Sequence, residues 1–233
     1  MKRPAISQEG LKLLACVTML LDHWAAVFVK DYVPYMILRG LGRIAFPIFC
    51  FLLVEGAVRT RSRRKYALRL AVGAVLSELP FDLAFFGRIT LLHQNVMFTL
   101  LLGLGAICAM DRRSTLSRKL LIAVPFLLLG ALLQTDYGWH GVLLICLLYL
   151  ARSASKPELA QLGAIILACA MIPSSRISVF GIPVSLELAG IFAAFPIAAY
   201  RGAKRSRSRI LQWAFYLFYP LHIGILWAFA AFL

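Results

Sequence analysis

Acidic residues are scarce in this sequence, which holds ten Asp and Glu against 25 Lys and Arg in 233 residues. Charged residues make up only 15% of the chain, hydrophobic residues make up 61%, and the mean hydropathy is +0.83. Because soluble domains carry about 25% charge, this composition excludes an ordinary soluble domain. It also excludes a soluble nucleic-acid-binding protein, although the net charge of +15 alone would suggest one.

The sequence lacks the motifs of metal-binding and disulfide-rich proteins. Its five cysteines lie in apolar stretches, with no Cys-x-x-Cys motif and no Cys/His ligand spacing. We therefore predict no metal site and interpret these side chains as packing residues: Cys16, Cys50, Cys108, Cys146 and Cys169.

Linkers rich in Pro, Gly or Ser, internal repeats and low-complexity tracts are also missing, so we expect a single domain over residues 1–233. Residues 1–12 carry charge but no small-residue cleavage site, and we expect no removed signal peptide.

Long apolar runs are abundant. A helix needs about 17 to 25 residues to cross a bilayer, and the runs lack the alternation of barrel strands. The sequence therefore predicts an all-α, polytopic membrane bundle of about nine transmembrane helices, with eight or ten left open because the sixth and seventh runs are short. The predicted spans are 11–29, 37–58, 66–86, 95–111, 119–135, 138–151, 158–173, 182–200 and 211–232.

Basic residues alternate between the predicted loops in a way that orients the chain. With a cytoplasmic N-terminus, 20 of the 25 Lys and Arg fall on the inner side. This asymmetry follows the positive-inside rule, and it predicts an odd number of spans with an outer C-terminus. We expect a multi-pass protein of the bacterial inner membrane.

Several ionisable residues nevertheless lie inside predicted spans, where each costs at least a few kcal/mol without a partner or a role. Most fall in the outer half of the membrane, so we expect them to form one pocket. Together with the polar residues that flank the outer loops, the set comprises Asp22, His23, Arg39, Arg43, Glu78, Asp82, His93, Gln94, Asn95, Asp136, His140, Glu187 and His222.

Helical spacing indicates partners for some of these charges. Arg39 and Arg43 share one helix face, as do Glu78 and Asp82. We predict a charge network between these two faces, linking the second and third spans. It would serve either the site or only helix packing.

His23 is the leading candidate for a functional residue. It lies inside a predicted span and not in a loop, and several acids are predicted at the same depth in the membrane. Its neighbour Asp22 points about 100° away on a helix, so Glu78, Asp82 or Asp136 could orient the imidazole instead. His222, two residues after Pro220, could belong to the site or to the scaffold.

At the inner ends of the spans, Glu55 and Arg59 have the spacing of an ordinary helix salt bridge. The basic run from Arg59 to Arg69 is most simply a positive-inside loop. Alternatively, its cations hold the phosphates of a nucleotide-like cofactor.

Five ordered segments, together with Leu11 to Leu14, resemble the TraX family over nearly the whole chain. They are Asp22-His23, Arg39-Gly-Leu-Gly-Arg43 through Glu55-Gly56, Ser77-Glu78-Leu79-Pro80-Phe81-Asp82, Gln94-Asn95-Val96-Met97-Phe98-Thr99 and Phe218-Tyr219-Pro220-Leu221-His222. The family is named for a conjugation protein that acetylates the pilin N-terminus, and it is distantly similar to the acyltransferase-3 and heparan glucosaminide acetyltransferase groups.

The resemblance implies an enzyme that moves an acyl group, with acetyl the expected one, from cytoplasmic acetyl-CoA to an amine or hydroxyl in or across the membrane. His23 would then be the catalytic base or an acylated nucleophile, Glu78 or Asp82 its orienting acid, and Arg43 or Asn95 the oxyanion donor. The CoA phosphates would meet Arg61, Arg63, Arg64 and Lys65. The substrate-binding candidates are Arg39, Asp136, His140, Tyr219 and His222.

The acceptor is left open among pilin, a glycan, a lipid and a peptide. Two other classes of function compete with the acyltransferase. A small proton-coupled transporter would explain buried acids and histidines, and a non-catalytic envelope or pilus assembly factor would use them only to pack helices.

Overall fold

A computed structural model describes residues 6–112, 115–173, 176–179, 182–202 and 209–232. Six basic residues behind the predicted charge asymmetry lie outside the described residues, namely Lys2, Arg3, Arg113, Lys204, Arg205 and Arg207.

The described chain is mainly helical, as the apolar runs predict. Its α-helices are α1 (Gln8–Phe28), α2 (Tyr32–Gly42), α3 (Ala45–Arg59), α4 (Arg63–Phe86), α5 (Val96–Met110), α6 (Leu116–Leu132), α7 (Gly138–Ala151), α8 (Pro157–Met171), α9 (Ala194–Ala198) and α10 (Arg209–Ala231).

Polar side chains set several helix boundaries. The Ser7 hydroxyl accepts a hydrogen bond from the Gly10 amide at the start of α1, and Ser62 does the same for Lys65 at the start of α4. Helix α4 ends at Gly87, whose φ of +66° is the left-handed conformation that glycine adopts without steric cost. These caps satisfy backbone groups that would otherwise lack partners at the helix ends.

The second predicted span is two helices instead of one. Helices α2 and α3 are separated by a turn at Arg43 and Ile44, and α2 begins at Tyr32, five residues before the predicted start. Pro47 explains the break, because its ring lacks an amide hydrogen for the Arg43 carbonyl and would clash with that carbonyl in a regular helix. The turn places the Arg43 side chain at the middle of the segment.

The predicted eighth span, 182–200, is helical only from Leu186 to Ala198 and is not one continuous α-helix. Strands β1 (Arg176–Val179) and β2 (Ile182–Ser185) form an antiparallel hairpin, followed by a 3₁₀ helix at Leu186–Ala193 and the short α9. Pro183 in β2 and Pro196 in α9 lack the amide hydrogens that one continuous helix would need. An apolar run alone does not distinguish these structures.

Among the described residues, three segments are long and apolar enough to cross a membrane: α1, the α2–α3 segment Tyr32–Arg59, and Trp213–Ala231. Four shorter apolar helices accompany them: Val96–Met110, Gly138–Ala151, Pro157–Met171 and Leu186–Ala198. The structure thus supports an apolar helical bundle, whereas nine crossings remain a prediction.

The core of the bundle lies where α3, α5 and α7 meet, and α3 is the most buried helix. Small residues allow the close approach: a Cβ on Gly103 would lie 2.3 Å from the Ile145 side chain, and one on Gly141 would lie 2.6 Å from Thr99. Helix α10 packs against α4 and α1, and α2 packs against α1 and the 3₁₀ helix. This arrangement brings α1 and α10 together around His23.

The C-terminal ends of α3 and α7 are joined by a buried carboxylate. Glu55 forms the predicted salt bridge with Arg59, at 2.5 Å, and it also pairs with Arg152 just after α7. The i,i+4 prediction is confirmed, and the second cation compensates the cost of burying Glu55.

Candidate functional site

Two histidines from opposite ends of the sequence form the centre of the site. His23 on α1 and His222 on α10 lie with Nδ1 of the first 2.7 Å from Nε2 of the second, and their rings are nearly coplanar in orientation, with an interplanar angle of 2°. His222 is 5% exposed, and its Nδ1 lies 2.7 Å from the Phe218 carbonyl oxygen. His222 therefore belongs to the site as well as to the helix scaffold.

These contacts determine which nitrogen of each neutral ring carries the hydrogen. A carbonyl only accepts, so His222 Nδ1 donates to Phe218 and its Nε2 retains a lone pair. That lone pair accepts from His23 Nδ1, which leaves the lone pair of His23 on Nε2. A nitrogen in this state can take a proton from an acceptor or attack a carbonyl carbon.

The predicted orientation of His23 by Glu78, Asp82 or Asp136 is not what the structure shows. The partner of His23 Nδ1 is His222, and the imidazole packs edge-on against Phe85 and Tyr219. The acids are engaged elsewhere in the bundle, so a neutral imidazole replaces the expected carboxylate.

Next to the histidines, Arg43 lies between two buried acids. Its Nη2 is 2.5 Å from Asp22 Oδ2 and its Nη1 is 2.8 Å from Glu187 Oε1, while both acids are about 5% exposed. Arg39 also contacts Asp22 Oδ2, at 2.9 Å. Two arginines and two carboxylates thus form a charge-balanced cluster.

The predicted network between Arg39/Arg43 and Glu78/Asp82 is therefore wrong. Because α2 packs on α1 and on the 3₁₀ helix, its arginines meet the acids of those elements, not those of α4. Asp22 and His23, being neighbours on α1, point in different directions, one to the arginines and one to His222.

Glu78 and Asn95 form a separate structural unit. The Asn95 amide donates to the Glu78 carboxylate and, at 2.8 Å, to the Ala74 carbonyl, while its oxygen caps α5 by accepting from Met97 N. Both donors of the Asn95 side chain are occupied, so this geometry does not favour the predicted oxyanion role.

Asp82 is fully buried and orders the loop after α4. Its Oδ2 accepts a hydrogen bond from the Thr90 amide at 2.7 Å. Asp82, which the sequence suggested as a partner of His23, instead orders the loop at residues 87–95, and this loop borders the site.

Two loops meet on the same side of the bundle as the histidines. The Asp136 amide donates to the Gln94 carbonyl, at 2.7 Å, and the Thr99 hydroxyl donates to the Asp136 carbonyl. His140 lies one turn into α7, stacked on Trp139, and is not among the described residues that line the cavity below.

The outer cavity, as we name the space beside this cluster, has a volume of about 850 Å³ including its open mouth. Of the predicted site residues, it is lined by His23, Arg39, Arg43, Asp136 and Tyr219, and not by Glu78, Asp82, Asn95 or His222. Of the set expected to converge on one pocket, Asp22, His23, Arg39, Arg43, His93 and Asp136 line this cavity, and His222 is connected to it through His23.

Three residues to which the sequence assigned no catalytic or binding role shape this cavity. Asp22 and Glu187 hold Arg43, and Tyr137 stacks on Phe46 with ring centres 3.7 Å apart. The two acids were recognisable as charges inside predicted spans. Tyr137, whose backbone has a φ of +63°, carries no such signal.

A second space, the inner cavity, opens toward the other end of α1 and has a volume of about 990 Å³ including its mouth. It is lined mostly by apolar side chains, with Lys12 and Arg69 among the few charged ones. The two cavities share a wall formed by Met19, Phe49, Val96, Leu100 and Tyr219. Side-chain movement of this wall would connect them.

The predicted phosphate ligands lie away from this mouth. Arg63 bonds to Asp111 at 2.7 Å and to the Ala57 carbonyl. The hydrogen bond to Asp111 raises the pKa of Arg63, and the hydrogen bonds from Tyr149 and Arg63 lower the pKa of Asp111. Arg61, Arg64 and Lys65 are exposed, and none of them lines the inner cavity. The cations placed for a ligand there are Lys12 and Arg69.

The helix contact beneath the Arg43 cluster leaves no room for a methyl group. A Cβ on Gly42 would lie 2.2 Å from Asp22 Cβ. We expect Gly42→Ala to lower the free energy of unfolding by about 1–3 kcal/mol or more by overpacking, measured by thermal unfolding in detergent. Gly163→Ala, on α8 with open space around it, is the control and should stabilise slightly. Equal effects of the two changes would contradict the tight contact.

The stability contributed by His93 and Asp136, which lie in two loops at the mouth of the outer cavity, should depend on pH. The Asp136 carboxylate raises the pKa of His93, assisted by the charges of Glu78 and Asp82. Because the folded pKa is the higher one, the protonated pair stabilises the fold below about pH 6.5 and loses that contribution as pH rises through the folded pKa. Both side chains are over a third exposed, so the effect is small.

We expect thermal unfolding profiles from about pH 5.5 to 8.5 to show it. The difference in melting temperature between wild type and His93→Gln should shrink as the pH increases, and a constant difference would contradict the ion pair.

Comparison with known proteins places the whole bundle in one family. Residues 7–230 match TraX protein. The chain belongs to the TraX family. A TraX-type relative, the probable fimbrial assembly protein FimC, serogroup H1, of Dichelobacter nodosus, is 36% identical over 239 residues, covering 93% of this chain and 92% of that protein. No solved structure matches this TraX chain.

Proposed function

We propose that this TraX protein is a membrane-embedded acyltransferase that moves an acyl group, in the first instance acetyl, from an acyl-CoA to an amine or hydroxyl acceptor. The observation that carries the proposal is the His23–His222 pair. The pair leaves Nε2 of His23 unprotonated beside the polar outer cavity. A single layer of side chains separates this cavity from the inner cavity, whose mouth carries basic residues.

In this mechanism the thioester occupies the boundary between the cavities and the acceptor enters the outer one. His23 Nε2 removes the proton of the acceptor as its nitrogen or oxygen attacks the thioester carbonyl carbon. The tetrahedral intermediate then collapses, the carbon–sulfur bond breaks, and the same proton passes from His23 to the leaving thiolate. His222 acts as a positioning residue, holding His23 in the required tautomer.

The developing oxyanion needs a cation. The charge of Arg43 is paired with two carboxylates, Asp22 and Glu187, whereas Arg39 contacts one carboxylate and its side chain is 23% exposed at the cavity. Arg39 is therefore the better placed donor, with Arg43 keeping Asp22 in position. In the alternative, His23 Nε2 attacks the thioester carbonyl carbon and the carbon–sulfur bond breaks, which forms an acyl-histidine. The acceptor then attacks that carbon, the carbon–nitrogen bond to His23 breaks, and the proton of the acceptor passes to the released thiolate.

The proposal includes the membrane topology. About nine crossings with a cytoplasmic N-terminus in the inner membrane would place Lys12 and the inner cavity on the side where acyl-CoA is made, and the outer cavity on the far side. The acyl group would then cross most of the bilayer inside the protein.

The relative's name as a fimbrial assembly protein supports a pilus subunit as the acceptor over a glycan, a lipid or another peptide. The same name also favours a second function, a non-catalytic assembly factor in which the Arg43 cluster only holds helices together.

An acetyl-transfer assay separates the two functions. The purified protein is placed in vesicles with isotopically labelled acetyl-CoA on the Lys12 side and pilin peptides, amino sugars or aminolipids as acceptors. Acceptor-dependent release of CoA thiol and a labelled product by mass spectrometry are expected. Absence of release with every acceptor, in protein that shows cooperative unfolding, would favour the assembly role.

A further inference from the structure

The mouth of the inner cavity combines cations with aromatic rings in a way that no helix packing requires. Arg69 lies with its guanidinium carbon 5.7 Å from the ring centres of both Tyr66 and Tyr216. Lys12 Nζ lies 4.9 Å from the ring centre of Phe215. Because Phe215 and Tyr216 are neighbours on α10, both cations face the same end of that helix.

We propose that Lys12 and Arg69 form a phosphate-binding subsite for the phosphopantetheine part of the acyl donor, an inference that rests on the proposed acyl transfer. Arg69 Nε is buried and has no hydrogen-bond partner among the described residues, although a guanidinium normally uses its donors. A phosphate oxygen at the mouth would supply the missing acceptor, and cations of this kind are strong phosphate partners.

The distance from this subsite to the reactive nitrogen fits the donor. Lys12 and His23 lie on the same helix, eleven residues apart, so their Cα atoms are separated by about 16 Å along its axis. An extended pantetheine arm is of comparable length. A phosphate held at Lys12 would therefore bring the thioester to the wall at Met19 and Tyr219, next to His23.

The walls of the inner cavity suit such an arm. Between its mouth and the shared wall the lining includes Leu52, Leu53 and Leu70, so the arm would pass through an apolar passage with its charge left at the entrance. A free acyl chain would fit the same walls but would make no use of the two cations.

Phosphopantetheine occurs in CoA and on carrier proteins, and binding measurements distinguish these sources. Isothermal titration of the detergent-purified protein would use CoA, 4′-phosphopantetheine and pantetheine as probes. CoA and phosphopantetheine should bind more tightly than pantetheine by roughly tenfold or more, since a charged hydrogen bond is lost. CoA binding better than phosphopantetheine indicates a nucleotide donor, whereas equal binding indicates recognition of the pantetheine phosphate alone.

Charge-removing variants then test the two residues. Lys12→Gln and Arg69→Gln should each weaken CoA binding by roughly tenfold while leaving pantetheine binding unchanged, and Arg69→Lys should restore part of it. Arg64→Gln and Lys65→Gln are matched controls, since both side chains are exposed at the same end of the protein and neither lines the cavity. Lys12→Gln keeps the test available if Arg69→Gln does not fold.

Equal loss in the Arg64 and Lys65 variants, or no preference for phosphate in wild type, would overturn the subsite. The outcome is independent of catalysis. Acyl transfer with an unchanged KM for acyl-CoA in Lys12→Gln would reject the subsite and leave the acyltransferase standing. Phosphate-selective binding without transfer to any acceptor would support the subsite and reject the proposed function.

Discussion

Replacing His23 with glutamine should lower kcat/KM for acyl transfer by about 10²–10⁴-fold, the usual contribution of a general base. Glutamine keeps a polar side chain that can donate to His222 Nε2, but it has no nitrogen that gains and loses a proton near neutral pH. The loss should appear in initial rates of CoA thiol release from reconstituted vesicles, with protein in each vesicle preparation quantified.

His140→Gln is the matched control for this change. His140 is a partly exposed histidine on α7, stacked on Trp139 and away from the outer cavity, so its replacement should leave the rate close to that of wild type. Retained transfer in His23→Gln would exclude His23 as both base and nucleophile.

His222→Leu should act differently from the loss of His23 itself. Removing the acceptor for His23 Nδ1 releases the ring to carry its hydrogen on either nitrogen, so the rate falls but does not vanish. A changed pH profile of kcat with an unchanged KM for the acyl donor is the readout that a merely structural role would not move.

Replacing Arg43 with methionine should lower the free energy of unfolding by about 3–5 kcal/mol, since the buried Glu187 loses its arginine and the buried Asp22 keeps only Arg39. Asp22 and Glu187 would then face each other across an apolar gap, with Arg39 as the remaining nearby cation. We expect a large fall in melting temperature of the detergent-purified protein and lower yield from membranes.

Arg63→Met provides the comparison, because Arg63 also pairs with an acid but at a solvent-exposed position. Surface ion pairs contribute about 0–1 kcal/mol, so its melting temperature should change little. A double variant, Arg43→Met with Asp22→Asn, should recover part of the lost stability by removing one buried charge. If the Arg43 and Arg63 variants lose similar stability, the buried cluster does not hold the helices together.

Some features of the fold were predictable because their causes are local. Runs of apolar residues produce helices wherever they occur, and Glu55 and Arg59 pair because four residues make one helical turn. The break at Arg43 and the 3₁₀ helix after Ser185 depend on individual prolines and on short-range turn geometry, which an average over an apolar window does not resolve.

Hydropathy and charge patterning were enough to predict an apolar helical membrane protein with ionisable side chains at one level, since both are properties of composition and spacing. Which of those side chains meet depends on how the helices pack. Arg43 pairs with Asp22 and Glu187 instead of Glu78, and His23 contacts a histidine 199 residues away in the sequence instead of an acid. A side chain can pair only with groups on the helices that pack against its own helix. Several packings of similar apolar helices satisfy the same local sequence pattern, so the sequence alone does not select one of them.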